Sequence, residues 1–120
     1  REEIYADKLL AFALRPGRFK YRDLWDIAWL HQQGLKPKFE LIPNKLKDRN
    51  HTPEYFLNLF SERKKALTEN KEIPAEFKQE IKRFLSAELV SKSLGENSLF
   101  EFITFLIEDL GRQIRENMSR

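Results

Sequence analysis

The chain has 120 residues, 41% of them hydrophobic, which fits one packed globular domain. Its 22 basic and 19 acidic residues leave a net charge of +3, which is too small to establish a polyanionic partner by itself. The sequence contains no cysteine, which excludes disulfides and thiolate metal sites and favours a reducing, cytoplasmic compartment.

No apolar run approaches the roughly 18 residues needed to cross a bilayer, and no signal peptide is visible, so we expect no membrane partner. The chain begins at Arg1 rather than Met and enters helical sequence at once. This start indicates the C-terminal portion of a longer protein, in which residues 1–120 form a single helical domain.

An all-α bundle of about six helices is predicted, because period-2 alternation is nearly absent and glycine and proline are scarce. The first segments are a helix over Glu3–Arg15 that stops at Pro16-Gly17, a helix over Asp23–Gln33 with Gly34 as its C′ residue, and a segment over Pro37–Arg49 that Pro43 bends or splits. Next come a helix that Thr52 caps and Pro53 opens, running to Glu69, and one that Pro74 opens, running over Ala75–Leu94 to Gly95. The capping-box pattern Ser98-Leu99-Phe100-Glu101 opens the last helix, which runs to Asn117.

The predicted core comes from apolar residues that recur three and four positions apart. In the later helices these are Phe56, Leu59 and Phe60; Phe77, Ile81, Phe84 and Leu85; and Phe102, Phe105, Leu106 and Leu110. Trp25 and Trp29 are also assigned to the core, with an exposed stacking platform for bases as the alternative. For the last helix, the alternative is a stripe presented to a partner helix.

The first helix carries charges where a helical domain rarely places them. At about 100° per residue, Ile4, Lys8, Ala11 and Arg15 lie in one stripe of a helix that is otherwise apolar. This helix has almost no polar face, so we expect its two cations to point at specific partners.

The second helix supplies candidate partners, because Asp23 falls within its apolar face and Asp26 lies at the edge of that face. An ionised carboxylate in such a place is costly unless a cation or hydrogen-bond donors meet it. A short connection makes the two helices antiparallel neighbours, so Lys8 and Arg15 are the natural cations. Arg22 can also reach Asp26 at the i,i+4 spacing.

Three interpretations of this charge cluster remain open at this point. Asp23 can be the N-cap of the second helix, with Asp26 as a box-like partner near the positive end of the dipole. Lys8 and Arg15 can snorkel or form structural ion pairs. The cluster can instead border a cleft, with the lysine holding a phosphate and an aspartate orienting a cation or a second basic group.

The segments Asp7-Lys8-Leu9-Leu10-Ala11, then Arg15, then Arg22-Asp23-Leu24-Trp25-Asp26-Ile27 resemble the second half of the AbiEii/AbiGii nucleotidyltransferase toxin family. In that family a "K-L-x-A…R" helix precedes an "R-D-x-x-D-L" helix, and the resemblance is specific over residues 3–31. It implies a polymerase-β-like nucleotidyltransferase, the toxin of a toxin–antitoxin or abortive-infection system. It further implies nucleoside triphosphates with Mg²⁺ as ligands, tRNA or another RNA as acceptor, and a cognate antitoxin as partner.

The resemblance also implies roles for the cluster. Lys8 would contact the triphosphate, Asp23 and Asp26 would complete the catalytic pocket from the helical side, and Arg15 and Arg22 would join Lys8 in binding the nucleotide. The family's Gly-Ser…Asp-x-Asp strand motif is absent from the chain, and two-metal phosphoryl transfer needs such paired carboxylates. We therefore expect this chain to be inactive alone, with Mg²⁺ and nucleotide bound only by the full-length protein. The competing hypothesis is a non-catalytic helical interaction module whose Lys/Asp contacts are a structural ion pair.

Other charged segments favour a solvated surface. They are the basic stretch of Lys36, Lys38, Lys45, Lys47, Arg49 and His51, the run Arg63-Lys64-Lys65, and the isolated His31. The run Arg63-Lys64-Lys65 is also placed to complement the helix dipole. Alternatively, the basic stretch can bind the phosphate backbone of a nucleic acid. This is the third function hypothesis, in which the chain is a nucleic-acid-binding domain that acts alone. Neither histidine has a partner at metal-ligand spacing, so no metal site is predicted.

Overall fold

Residues 2–84 and 98–118 are described by a computed structural model of the chain. Its α-helices are α1 (Glu2–Leu14), α2 (Tyr21–Gln32), α3 (Ile42–Asp48), α4 (Pro53–Glu69), α5 (Ile73–Phe84) and α6 (Ser98–Met118), with a 3₁₀ turn at Phe39–Leu41 before α3. These six helices, without a strand in the described ranges, confirm the all-α prediction.

Two helix ends follow the local signals in the sequence. At the start of α4, Thr52 Oγ1 accepts a hydrogen bond from the backbone N–H of Tyr55 at 3.1 Å. At the end of α2, the Gly34 N–H bonds to the His31 carbonyl at 3.0 Å, and Gly34 adopts a φ of 79° that turns the following residue back toward the helix. The Leu35 N–H then bonds to the Leu30 carbonyl at 3.4 Å, so the predicted C′ glycine completes a Schellman motif.

Other boundaries differ from the prediction or lie outside the described residues. Helix α2 begins at Tyr21 rather than at Asp23, and its N-cap, Lys20, makes no side-chain capping bond. The segment that contains Pro43 is split, as predicted, into the 3₁₀ turn Phe39–Leu41 and α3. Pro43 lies in the first turn of α3, where an N–H would have no intrahelical acceptor. The predicted continuation of the fifth helix to Gly95 and the capping contacts of the Ser98 side chain lie outside the described residues.

Helix α1 lies at the centre of the bundle, packed against both α2 and α4. Six of its residues are buried on several faces, namely Tyr5, Ala6, Leu9, Leu10, Phe12 and Ala13. The Phe12 ring lies 5.3 Å from the Phe19 ring and 5.2 Å from the Phe60 ring, centroid to centroid. A helix that is apolar on most of its faces is largely buried, which explains why α1 has little polar surface on which to place Lys8 and Arg15.

Most of the predicted core residues are buried, and two assignments are wrong. Phe105 is 71% exposed and Trp29 is 41% exposed. The buried seam of α6 runs through Ile103, Leu106, Ile107 and Leu110, and Phe105 follows Ile103 by about 200° around the helix. Trp29 likewise faces away from the buried seam of α2, whereas Trp25 is half-buried against the core. The side chains of Phe84 and Leu85 lie outside the described residues.

The buried apolar residues of the described helices form the core of the bundle. Within residues 2–84 and 98–118, every helix is too short or too rich in charged residues to span a bilayer.

Candidate functional site

Two cations of α1 meet two carboxylates of α2 across the helix pair. Lys8 Nζ lies 2.8 Å from Asp26 Oδ2 and 3.6 Å from Asp23 Oδ1. Arg15 Nε lies 2.5 Å from Asp23 Oδ2, and Arg15 Nη2 lies 3.2 Å from Asp23 Oδ1. The later residue of α1 pairs with the earlier residue of α2, so the helices run antiparallel. The geometry predicted for these four side chains is therefore present.

Asp23 is the centre of this cluster. It is 2% exposed, and within the described ranges it is the one charged residue that is buried. Arg15 meets it with two N–H groups and Lys8 with its ammonium, which offsets the cost of removing the carboxylate from water.

The interpretation of Asp23 as the N-cap of α2 is wrong. The helix starts at Tyr21 and its N-cap is Lys20, so Asp23 is already inside the first turn. Its backbone N–H bonds to the Lys20 carbonyl at 3.0 Å, while its side chain points at α1. The carboxylate therefore serves contacts between helices rather than the end of its own helix.

The cations of the cluster are far more accessible than the carboxylate between them. The side chains of Lys8 and Arg15 are 29% and 35% exposed, against 3% for that of Asp23. The hydrogen bond to Asp23 raises the pKa of Arg15, so its charge is secure. Two of the five guanidinium N–H groups serve Asp23, and no other acceptor for the remaining three is seen in the part of the chain that the structure describes. The cluster thus offers hydrogen-bond donors at the surface above a buried acceptor.

Arg63 holds the end of α1 from outside, which the sequence interpretation missed. Its Nη1 donates to the Phe12 carbonyl at 2.7 Å and its Nη2 to the Arg15 carbonyl at 2.5 Å. The last turn of α1 has no basic residue of its own, so α4 supplies the missing partner for these carbonyls. Burial lowers the pKa of Arg63, which remains a cation because guanidinium is too basic to lose its proton.

Arg63 therefore complements a helix dipole, but the dipole is that of α1 rather than that of its own helix, and the guanidinium does not serve as surface charge. Its neighbour Lys65 is exposed, as the run was expected to be. The sequence offered one indirect sign of this contact: the last turn of α1 before Pro16-Gly17 contains no basic residue that could bind its carbonyls.

A second polar cluster joins the start of α2 to α5. The Tyr21 hydroxyl donates to Glu76 Oε1 at 2.5 Å and accepts from Arg18 Nη2 at 2.6 Å. The Arg18 guanidinium carbon also lies 5.3 Å from the ring centroids of Phe19 and Tyr21. Arg22 is exposed and lines a cavity of about 650 Å³ beside this cluster.

The basic stretch contains a cation that joins two helices. Lys45 Nζ lies 3.0 Å from Glu3 Oε1 and 2.9 Å from Asp7 Oδ1, so it ties α3 to α1. Hydrogen bonds to these two carboxylates, that to Asp7 first, raise the pKa of Lys45. His51 stacks on Tyr55 with ring centroids 4.8 Å apart, and the exposed His31 has its ring 5.8 Å from that of Phe102.

The donor set of the α1–α2 cluster does not fit Mg²⁺. Within residues 2–84 and 98–118, no three histidine or carboxylate side chains come close enough together to hold a metal ion. Asp23 and Asp26 already face the ammonium of Lys8 and the guanidinium of Arg15, and a cation at the same oxygens would meet that positive charge.

Comparison with known proteins bears on the same two helices. A family model described as "Nucleotidyl transferase AbiEii toxin, Type IV TA system" matches residues 1–100, which include α1, α2 and the whole charge cluster. Searches of curated proteins and of solved structures found no significant match. With most of its length covered by the family model, the chain belongs to the AbiEii nucleotidyltransferase toxin family.

Proposed function

We propose that this chain forms the helical wall of a nucleotide site, in which Lys8 and Arg15 contact the triphosphate of a bound nucleoside triphosphate. One observation carries the proposal: a buried carboxylate, Asp23, fixes two cations whose side chains are partly exposed. A structural ion pair alone does not require partly exposed cations, whereas an anion-binding site does.

Each side chain has a distinct part in this proposal. The planar fork of Arg15, held on one edge by Asp23, is suited to bidentate contact with phosphate oxygens. Lys8, held at 2.8 Å from Asp26, supplies a compact charge. Arg22 extends the basic surface at the start of α2. Asp23 and Asp26 act as positioning residues, because their oxygens face the cations.

Nucleotidyl transfer makes use of such cations. The oxygen of an acceptor hydroxyl forms a bond to the α-phosphorus and loses its proton to water, while the bond from that phosphorus to pyrophosphate breaks and the leaving pyrophosphate takes the electron pair. Cations already oriented at those oxygens stabilise the charge without reorganising during the reaction. Fixed Lys8 and Arg15 side chains meet this requirement.

The proposal does not place the metal ligands in the α1–α2 cluster. The chain has no Gly-Ser and no Asp-x-Asp motif, and the cluster does not fit Mg²⁺. Mg²⁺, when bound, would neutralise the triphosphate and activate the acceptor oxygen. We therefore expect its ligands in another part of the intact protein, and no nucleotide transfer by this chain alone.

The proposal also includes partners and a location. Membership in a toxin–antitoxin family supports a cognate antitoxin as partner. An RNA acceptor, with tRNA as the first candidate, is supported by the exposed lysines Lys36, Lys38 and Lys47, which can neutralise phosphates. A cytoplasmic location is part of the same proposal and agrees with a cysteine-free chain.

The test compares two lysines in the intact protein, each paired with two carboxylates. Lys8→Ala should lower the transfer of labelled nucleotide to RNA by about 100-fold or more, as expected for the loss of an oriented cation. Lys45→Ala removes a similar ion pair on another part of α1's surface and should leave transfer unchanged. Circular dichroism should show both variants folded.

The opposite outcomes would favour the non-catalytic interaction module. Equal activity losses for Lys8→Ala and Lys45→Ala, or unfolding of both Lys8→Ala and the milder Lys8→Arg, would assign Lys8 a structural role. Retained transfer in Lys8→Ala would remove it from the nucleotide site.

A further inference from the structure

Trp29 lies on the outer face of α2, on the same side as the charged residues. It follows Asp26 by three positions and Arg22 by seven, so the three side chains share one face of the helix. Trp29 is 41% exposed, although indole is a large apolar group that burial would stabilise.

Helix α1 adds a second exposed apolar side chain at the same end. Lys8 meets Asp26 at 2.8 Å across antiparallel helices. One turn back along α1 is Ile4, and one turn onward along α2 is Trp29, so these two residues flank the same end of the cluster. Ile4 is 51% exposed. The outer face of the pair is therefore charged at the Arg15 and Arg22 end and apolar at the Trp29 end.

This polarity matches the two halves of a nucleotide. The seven-residue step from Arg22 to Trp29 rises about 10 Å along α2, a length over which an extended nucleotide separates its base from its outer phosphates. Resting on the proposed function, we propose that Trp29 stacks on the base of the bound nucleoside triphosphate while Lys8, Arg15 and Arg22 bind its phosphates. An aromatic ring stacks on any base, so Trp29 contributes affinity with little choice among bases, and more for purines than for pyrimidines.

The other exposed aromatic residues in the described ranges lie elsewhere. Tyr55 stacks on His51 at the start of α4. Phe105 is 71% exposed on α6, in a cavity of about 510 Å³ that Lys64, Arg112 and Arg115 also line. Phe105 therefore serves as the matched control: an exposed aromatic side chain near cations, away from the α1–α2 cluster.

The experiment compares the binding of two ligands, a purine nucleoside triphosphate and inorganic triphosphate, by the intact protein. Trp29→Ala should raise the KM for a purine nucleoside triphosphate by about 5- to 100-fold, the range that base stacking supports. The same variant should leave inhibition by inorganic triphosphate unchanged, because that ligand has no base. Trp29→Phe should recover most of the affinity, and Phe105→Ala should behave as the unmodified protein.

Three results would overturn the assignment of Trp29. An unchanged KM in Trp29→Ala would do so, as would an equal loss of nucleotide and inorganic triphosphate binding, which would indicate support of the phosphate end. Low acrylamide quenching of Trp29, measured against Trp29→Phe before nucleotide is added, would indicate that another protein segment covers it. If the unmodified protein binds neither ligand, the proposed function itself is wrong, and the inference fails with it.

Discussion

The guanidinium of Arg15 and the carboxylate of Asp23 form a two-point contact, with Nε to Oδ2 at 2.5 Å and Nη2 to Oδ1 at 3.2 Å. The contact closes the turn between α1 and α2, because the two residues lie just before and just after it. Its planar geometry fixes the rotation of both side chains as well as the distance between the helices. One aspartate thus orients a potential phosphate ligand and sets the register of the helix pair.

The two carboxylates of the cluster should differ in their contribution to stability. Asp23→Asn should lower the free energy of unfolding by about 2 kcal/mol, because hydrogen bonds to charged groups contribute about 1.5–3 kcal/mol and Asp23 is buried. Asp26→Asn should cost less than about 1 kcal/mol, since its side chain is 28% exposed and water screens the pair. Urea unfolding followed by circular dichroism measures both, and equal losses would contradict the central position of Asp23.

Arg63 should be important for stability although it lies in a basic run. Arg63→Ala removes two hydrogen bonds to the carbonyls of Phe12 and Arg15 and should cost about 2 kcal/mol. Lys65→Ala, two positions away and exposed, should change stability by less than about 0.5 kcal/mol. A double-mutant cycle between Arg63→Ala and Asp23→Asn should give a non-zero coupling energy, because both residues hold Arg15. Strictly additive losses would show that the two contacts act independently.

The contact between Tyr21 and Glu76 should give stability a pH dependence at both extremes. The hydrogen bond from Tyr21, and the charge of Arg18, lower the pKa of Glu76 below its ordinary 4.5. The stabilisation is therefore complete above pH 4.5 and is lost as the pH falls through the lower folded value. Burial and the bond to Glu76 raise the pKa of Tyr21 from 10.0 to about 12, so that stabilisation is complete below pH 10 and is lost as the pH approaches 12.

The matching variants separate this contact from the rest of the chain. Tyr21→Phe should flatten both limbs of a plot of melting temperature against pH, and Glu76→Gln should flatten the acid limb. Glu80→Gln, on the same helix and paired with Arg83 at 3.0 Å, is the control. Unchanged limbs in Tyr21→Phe would exclude this contact as their source.

Tyr5 presents a buried hydroxyl that, within the described residues, has no hydrogen-bond partner. Burial, and to a lesser extent the charge of Asp109, raise its pKa well above the ordinary range. Tyr5→Phe removes a polar group that folding takes away from water, so it should leave the melting temperature unchanged or raise it by up to a few degrees. A lower melting temperature would instead indicate a bound water that the hydroxyl satisfies.

The sequence predicted the helix ends that a local motif determines and the ion pairs that the cost of burying a charge requires. Thr52 and Gly34 act within a few residues of their own helices, so their roles follow from residue type and spacing. Lys8 and Asp23 were paired correctly because charges in apolar helices need partners and the connection between the helices is short.

The features that the sequence did not predict depend on tertiary packing. Arg63 lies 48 positions after the carbonyl of Arg15, and nothing in its surrounding run distinguishes it from Lys65. Trp29 and Phe105 are apolar by residue type, and their exposure depends on which seam of each helix faces its neighbours. The start of α2 at Tyr21 was missed because its N-cap, Lys20, provides no capping side chain.

The contacts of Arg63 also determine when, during synthesis of the chain, the end of α1 gains its hydrogen-bond partners. Translation delivers α1 and α2 before α4, so both helices emerge while the carbonyls of Phe12 and Arg15 still lack this guanidinium. The nascent chain gains the two hydrogen bonds only after α4 has been synthesised and has docked on α1. A truncated product that ends before Arg63 would therefore carry Lys8, Arg15, Asp23 and Asp26 without the support that holds the end of α1.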